Sequence, residues 1–315
     1  MGKTDFVIET NGLTKKFDGL TAVEDLSLKI HKGEIFGFLG PNGAGKTTSI
    51  RMMVGLLKPT SGEVNLNMEE PKSFKEGIGI CPQEIVLWED LTAYENVHFM
   101  GRMYEVPERT LENRVDRILD DLQLTDRRDS LASDLSGGMK RRLNLGMSLV
   151  HEPRIVVLDE PSAGLDPQSR LSLWEFIKQL RADANTSIIL TTHLMEEADR
   201  LSDRVGIIDH GKLLVVDTPE NLKKSVGEGD SLSIELSDKK ANEEALEKIR
   251  EAGDVLEGSV VGDRLLVRAL DAIGQMGKFT RALEDSGFDV LDVSVSRTNT
   301  LEDVFIHLTG RGLRS

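Results

Sequence analysis

The chain is predicted to fold as two units: an α/β unit built around a largely parallel sheet, then a small α+β unit. Three observations carry this. Short apolar runs, Ile35–Leu39, Ile155–Leu158, Ser187–Leu190 and Val205–Ile208, are separated by longer stretches of helical periodicity. The middle, from Leu91 to Val150, has no comparable run and reads as an inserted helical subdomain, placed at about residues 84–150. Past the glycine-rich break Val226-Gly227-Glu228-Gly229-Asp230, strand and helix periods alternate in a new order.

In that last part, Leu232, Ile234 and Leu236 alternate with Ser and Glu, the period of a half-buried strand. Ala245, Leu246, Ile249 and Ala252 then share one helix face. Two strands follow, around Val255–Leu256 and Leu265–Val267. Ile273, Met276 and Leu283 mark a second helix, and Leu291, Val293 and Val295 a last strand. The order β-α-β-β-α-β is that of a ferredoxin-like domain. A closing helix starts at Thr300, with Asp303 in capping-box position and a stripe of Leu301, Val304, Phe305 and Leu308. The two domains are therefore set at residues 1–226 and 227–315.

A chain of 315 residues, 39% apolar, can bury two such cores. Its net charge of -15 argues against broad binding to nucleic acid or anionic lipid. Residues 228–315 carry 18 acidic and 11 basic side chains, read as a solvated acidic surface. The one cysteine, Cys81, rules out an intrachain disulfide and reads as a small buried apolar group in a reducing, cytosolic setting. The sequence opens without a signal-peptide core, and no stretch nears the roughly 18 apolar residues of a membrane span. Any membrane role is expected to run through a partner.

Chemistry enters at Gly40-Pro41-Asn42-Gly43-Ala44-Gly45-Lys46-Thr47, followed by Thr48. This matches the phosphate-binding loop of P-loop NTPases, and the apolar run before it and helical pattern after it fit. Glycines let backbone N–H groups turn toward phosphate oxygens. Lys46 can reach the β- and γ-phosphates of a nucleotide, the Thr47 hydroxyl can ligate Mg²⁺, and a helix N-terminus adds its positive end. The apolar strand Ile155–Leu158 ends in Asp159-Glu160. Asp159 fits the carboxylate placed near Mg²⁺, and Glu160, next to it, can orient or deprotonate water. In Leu135-Ser136-Gly137-Gly138-Met139, Ser136 can cap a helix whose N–H groups point at an anion.

Together these segments resemble ATP-binding cassette (ABC) proteins, Leu135–Met139 standing where the family has its LSGGQ signature, with Met139 in place of Gln. The resemblance spans residues 5–226. It implies that Gln83, in Cys81-Pro82-Gln83, senses Mg²⁺ and the attacking water, and that His193, after Thr191-Thr192, contacts the γ-phosphate. It implies that Asp166, in Ser162-Ala163-Gly164-Leu165-Asp166, lies in the loop that touches the other subunit, and that Phe17 stacks on adenine. The catalytic set it implies is thus Glu160, His193, Gln83 and Lys46. Thr47, Gln83 and Asp159 serve the metal; Phe17, Asn42, Gly43, Ala44, Gly45, Lys46, Thr47, Thr48, Ser136, Gly137, Gly138 and Asp166 hold ATP.

The closing stretch Thr300–Gly310 resembles the extension of daunorubicin-resistance-type, ABC-2 class ATPases. The resemblance implies an ATPase subunit at the cytoplasmic face of the membrane. Two copies would pair head to tail around two ATP molecules and drive a separate membrane-spanning permease, exporting drugs, lipids or other hydrophobic compounds. The apolar Ile85-Val86-Leu87-Trp88 would border the groove for a permease helix, with core packing as the competing role. Alternatives are a non-transport ABC ATPase, disfavoured by a single P-loop without sustained heptads, and a regulator without turnover, disfavoured by an intact Glu160 and His193.

Overall fold

The computed structural model describes residues 6–67, 77–184, 186–226, 229–237, 243–262, 264–296 and 300–310. The chain divides into two compact units at Val216/Asp217.

The first unit opens with an antiparallel sheet that sequence patterning did not anticipate. Strands β1 (Phe6–Phe17) and β2 (Leu20–His31) form a hairpin, and β4 (Ser61–Leu66) pairs on the other side of β1. Between them in sequence lie β3 (Ile35–Leu39) and helix α1 (Lys46–Met53). Strand β3 belongs to a second, six-stranded sheet in the order β5-β6-β7-β3-β8-β9. Its other members are β5 (Ile78–Cys81), β6 (Ile155–Asp159), β7 (Ser187–Thr192), β8 (Arg204–Asp209) and β9 (Lys212–Asp217). The pairings β5–β6, β6–β7, β7–β3 and β3–β8 are all parallel.

Both faces of this sheet are covered, which explains why its strands read as unbroken apolar runs. On β6, Ile155 and Val157 join a core with Phe36, Phe38, Ile50 and Met53 from β3 and α1, and Leu13 and Ile30 from the hairpin. Val156 and Leu158 point the other way, into a core with Leu143, Met147, Trp174 and Ile177. That second core is shared with the helical insert: α2 (Ala93–Met103), α3 (Glu108–Asp121) and α4 (Gly137–Leu149). Helix α2 starts at a capping box between Thr92 and Glu95. Helices α5 (Pro167–Ala184) and α6 (Met195–Leu201) complete the unit.

The second unit begins with α7 (Pro219–Ser225), which packs on α10 (Leu301–Thr309). This contact places the division ahead of the glycine-rich break at 226/227. Strands β10 (Asp230–Leu236), β11 (Glu257–Val261), β12 (Arg264–Ala269) and β13 (Val290–Ser296) form an antiparallel sheet ordered β11-β12-β10-β13. With α8 (Glu243–Ala252) and α9 (Ala272–Asp285) on one face, this is the ferredoxin-like arrangement. Leu232, Ile234, Leu246, Ile249, Val267, Phe279 and Leu283 fill its core. Strand β11 lies just past Val255–Leu256, and Leu256 is exposed. Helix α10 carries the Thr300–Asp303 capping box and ends at Gly310 in the left-handed region, φ 69°.

Candidate active site

Parallel strands that lie side by side end along one edge, and the loops leaving that edge share one crevice. Here β5, β6, β7 and β3 are consecutive neighbours. Gln83 follows β5, Asp159 and Glu160 end β6, Thr191-Thr192-His193 end β7, and Gly40–Thr47 follow β3. Residues scattered over 150 positions of sequence thus meet at one place.

The loop after β3 has the backbone its glycines predict. Gly45 caps α1 at φ 101°, and a Cβ there would lie 2.5 Å from the Ala22 carbonyl oxygen. A Cβ on Gly40 would lie 2.2 Å from the Ile208 carbonyl oxygen. Asn42 and Gly43 are exposed at the loop tip, and Thr48 is half-buried in the first turn of α1. The buried Lys46 ammonium donates to the carbonyls of Gly40 at 2.7 Å and Pro41 at 3.1 Å. Burial holds its pKa below the usual lysine value, with the neighbouring Glu160 carboxylate acting against that shift.

Three of the residues singled out from sequence converge on Glu160. Its Oε1 is 3.5 Å from Lys46 Nζ, and its Oε2 accepts from Gln83 Nε2 at 3.3 Å. His193 Nδ1 is 3.2 Å from the same Oε2, within ion-pair range but out of line for a hydrogen bond. Next door, Thr47 Oγ1 donates to both carboxylate oxygens of Asp159, each at 3.1 Å. Thr191, which patterning did not single out, donates its hydroxyl to Asp159 and accepts from the Glu160 N–H at 2.9 Å. Glu160 itself is 7% exposed and sits in the left-handed backbone region at φ 47°. A non-glycine residue rarely adopts that conformation unless its surroundings hold it there.

Arg141 is a further member of this site. It is 2% exposed, and its guanidinium donates to five main-chain carbonyls: Pro82, Gln83, Asp159, Glu160 and Pro161. In sequence it is one of three basic residues, Lys140-Arg141-Arg142, and nothing there separates it from Arg142, which donates to the Leu122 carbonyl. Cys81 is buried as expected, its thiol pushed up to about 11 by desolvation.

Residues 23–163 match the ABC transporter family. The chain is 37% identical to the linearmycin resistance ATP-binding protein LnrL of Bacillus subtilis (strain 168), over 98% of this chain and 100% of that protein. It is 36% identical to the daunorubicin/doxorubicin resistance ATP-binding protein DrrA of Streptomyces peucetius, over 96% and 92%. Among solved structures it is similar to cbiO1 from Clostridium perfringens, part of the ABC transporter complex cbiONQ. The TM-score there is 0.64 and identity 27%, over 71% of this chain and 94% of that one. The chain belongs to the ABC transporter family. It is an ATP-binding subunit and hydrolyses ATP.

Among the described residues, Ser136–Gly138, which resemble the ABC signature in sequence, make no hydrogen bond to Glu160. Ser136 is the N-cap of α4, its Oγ accepting from the Met139 N–H at 3.3 Å. A Cβ on Gly137 would meet nothing within 4 Å, so this helix end is open. Among the described residues, no hydrogen bond joins Ser136, Gly137 or Gly138 to the Gly40–Thr47 loop. Asp166 caps α5, Oδ1 accepting from the N–H groups of Gln168 at 3.1 Å and Ser169 at 3.0 Å. Hydrogen bonding from the Ser169 side chain first, then from the Ser169 and Gln168 N–H groups, holds its carboxyl below the usual range. Behind that loop, buried Ser162, Glu197 and Trp174 are mutually hydrogen-bonded, tying it to α6, which follows His193. Patterning gave no signal for Glu197, since a carboxylate in a helix reads as surface.

Phe17 stands at the end of β1, 43% exposed, with Lys15 Nζ 5.0 Å from its ring centroid. It is therefore not a core residue. In the helical subdomain Ile85, Val86 and Trp88 are exposed, and Trp88 meets the exposed Phe99 edge-to-face at 4.7 Å. The loop carrying them is held by buried Asn96, which accepts from the Trp88 N–H and donates to the carbonyls of Trp88, Leu91 and Thr92. Core packing is thus excluded for these three side chains; Leu87 alone of the four packs inward. No helix of the described residues is long and apolar enough to cross a membrane.

Proposed function

We propose that two copies of this subunit pair head to tail, each ATP lying between one copy's Gly40–Thr47 loop and the other's Ser136–Gly138. The open helix end at Gly137, and the lack of any hydrogen bond from Ser136–Gly138 to their own phosphate loop among the described residues, support this. Glu160 is the general base for the attacking water, with Gln83 and His193 orienting water and γ-phosphate and Lys46 neutralising phosphate charge. The observation that carries the reading is the convergence of Lys46, Gln83 and His193 on the Glu160 carboxylate. Phosphoryl transfer to water depends mainly on positioning and charge stabilisation, which such a cluster supplies.

Mg²⁺ fits this site. Thr47 Oγ1 and the Asp159 carboxylate already meet as hard oxygen donors. The described residues contain no cluster of three or more His, Cys, Asp or Glu able to hold a metal. A site of few protein oxygens completed by nucleotide phosphates is the usual habit of Mg²⁺. Thr47, Asp159 and Gln83 would hold the ion, which when bound screens phosphate charge. Phe17 stacks on the adenine, Asn42, Gly43, Ala44, Gly45 and Thr48 cradle the phosphates, and Asp166 lies at the dimer contact.

The subunit works at the cytoplasmic face of the membrane and drives a separate membrane-spanning permease, docked over Ile85, Val86 and Trp88. Relatives named for linearmycin and daunorubicin resistance support export of hydrophobic compounds. Glu160→Gln tests the mechanism: it is expected to bind ATP, accumulate a dimer on size exclusion and lose turnover. Hydrolysis at the normal rate by that variant would remove Glu160 from the role of base.

A further inference from the structure

Strand β5 pairs with β6 along its whole length, and their ladder ends at Cys81↔Leu158. Immediately beyond it come the residues assigned to hydrolysis, Gln83 on one side and Asp159 and Glu160 on the other. Two prolines, Pro82 and Pro161, flank them and carry no N–H, so the ladder cannot continue there. Arg141 takes its place. Nη1 donates to the carbonyls of Pro82 at 2.8 Å and Gln83 at 2.7 Å. Nη2 donates to Asp159 at 3.0 Å and Glu160 at 2.6 Å, and Nε to Pro161 at 2.9 Å. A guanidinium has five N–H donors in one rigid plane, and here every one has a main-chain carbonyl.

We propose that Arg141 is a positioning residue for ATP hydrolysis. Its planar fork sets the spacing and orientation of the loops bearing Gln83 and Glu160, and anchors both to α4, the helix capped by Ser136. This rests on the assignment of Gln83, Asp159 and Glu160 above. Two features mark it as more than packing. The Glu160 carbonyl held by Nη2 belongs to a residue in the left-handed region, whose N–H is held by Thr191; Glu160 is thus pinned on both sides. And none of the five acceptors is a carboxylate: among the described residues, the hydrogen bonds of the buried cation all go to main-chain dipoles of the two loops it joins. A lysine keeps the charge but has three donors on a flexible stem, leaving at least two carbonyls unpaired.

The test uses the full-length chain with Arg141→Lys, Arg141→Gln, Glu160→Gln and the double variant Arg141→Lys/Glu160→Gln. Fluorescent-ATP titration, steady-state ATPase kinetics and thermal unfolding are measured for each. Arg141→Lys is expected to bind ATP within about threefold of the parent while kcat falls by about tenfold or more, a barrier change of roughly 1.4 kcal/mol. Arg141→Gln is expected to fall at least as far, the lysine giving little rescue. In the Glu160→Gln background, adding Arg141→Lys should change the residual rate less than about twofold, because residues acting through one another are not additive. The proposal fails if Arg141→Lys keeps kcat within about twofold of the parent. It also fails if affinity, kcat and thermal midpoint fall together, or if the fold-loss is the same in both backgrounds. Normal turnover by Glu160→Gln alone would instead overturn the assignment of Glu160, and kcat of Arg141→Lys would still decide the role of Arg141.

Discussion

The six-stranded sheet of the first unit and the four-stranded sheet of the second bury similar apolar residues but end differently. In the first, β5, β6, β7 and β3 run parallel side by side, so four successive strand ends deliver Gln83, Glu160, His193 and the Gly40–Thr47 loop to one edge. In the second, neighbours run antiparallel, so successive strand ends alternate between opposite edges. Its polar residues instead stand opposite one another across strands, as Glu257 with the buried Arg268 and Ser231 with Ser296. A parallel sheet gathers chemistry; an antiparallel one of this size distributes it along a face.

This contrast can be broken or sharpened by substitution. The largest effect is expected from Lys46→Ala, which removes the buried cation beside Glu160; steady-state ATPase should fall by roughly 10²–10³-fold. Thr191→Val comes next. It removes the hydroxyl that serves both Asp159 and the Glu160 N–H, and kcat should drop by about tenfold with little change in ATP affinity. In the second unit, Ile234→Val trims a fully buried methylene and should cost about 0.5–1.5 kcal/mol in denaturant unfolding. Turnover should stay within about twofold, since the site draws nothing from that core. A large loss of ATPase in Ile234→Val would show that the contrast is too sharp.

The smallest expected effect is a pH dependence at His151. Its ring stacks on Tyr104 at 3.8 Å, Nε2 lies 3.2 Å from the Ile78 carbonyl oxygen, and Nδ1 is buried with no hydrogen-bond partner among the described residues. Burial lowers its pKa from 6.5. On acidification the unfolded chain therefore takes up the proton first, so stability is present above pH 6.5 and is lost as pH falls toward the lower folded-state value. His151→Phe keeps a stacked ring without a titrating group. Its thermal midpoint should fall less than the parent's between pH 7 and pH 5.5.

Much of the site was legible in sequence because its residues are tied to local backbone form. The glycines at 40, 43 and 45 announce a loop that admits no Cβ at two of its positions, and Ser136 and Thr300 announce helix starts that are present. Other features have no local signal. Arg141 and Arg142 are adjacent and chemically identical, yet one is buried on five carbonyls while the other, among the described residues, donates to Leu122 and Gln123. Glu197 sits in an acidic helical stretch and is buried against Ser162 and Trp174. The strand expected at Val255–Leu256 lies at Glu257–Val261, because short apolar pairs leave register to the neighbouring strand.

The phosphate loop, the strand carboxylates, the signature cap and the β-α-β-β-α-β order were determined by the sequence alone. Each is encoded within a few residues through backbone freedom, period or capping chemistry. The tertiary structure decided which side chains meet: that Glu160 receives Lys46, Gln83 and His193, and that Thr191 and Arg141 hold its backbone. It also decided that Ile85, Val86 and Trp88 remain outside the core. Those outcomes depend on strand order and on the packing of α4 against the sheet, which bring together residues far apart in the chain and leave no periodic trace in it.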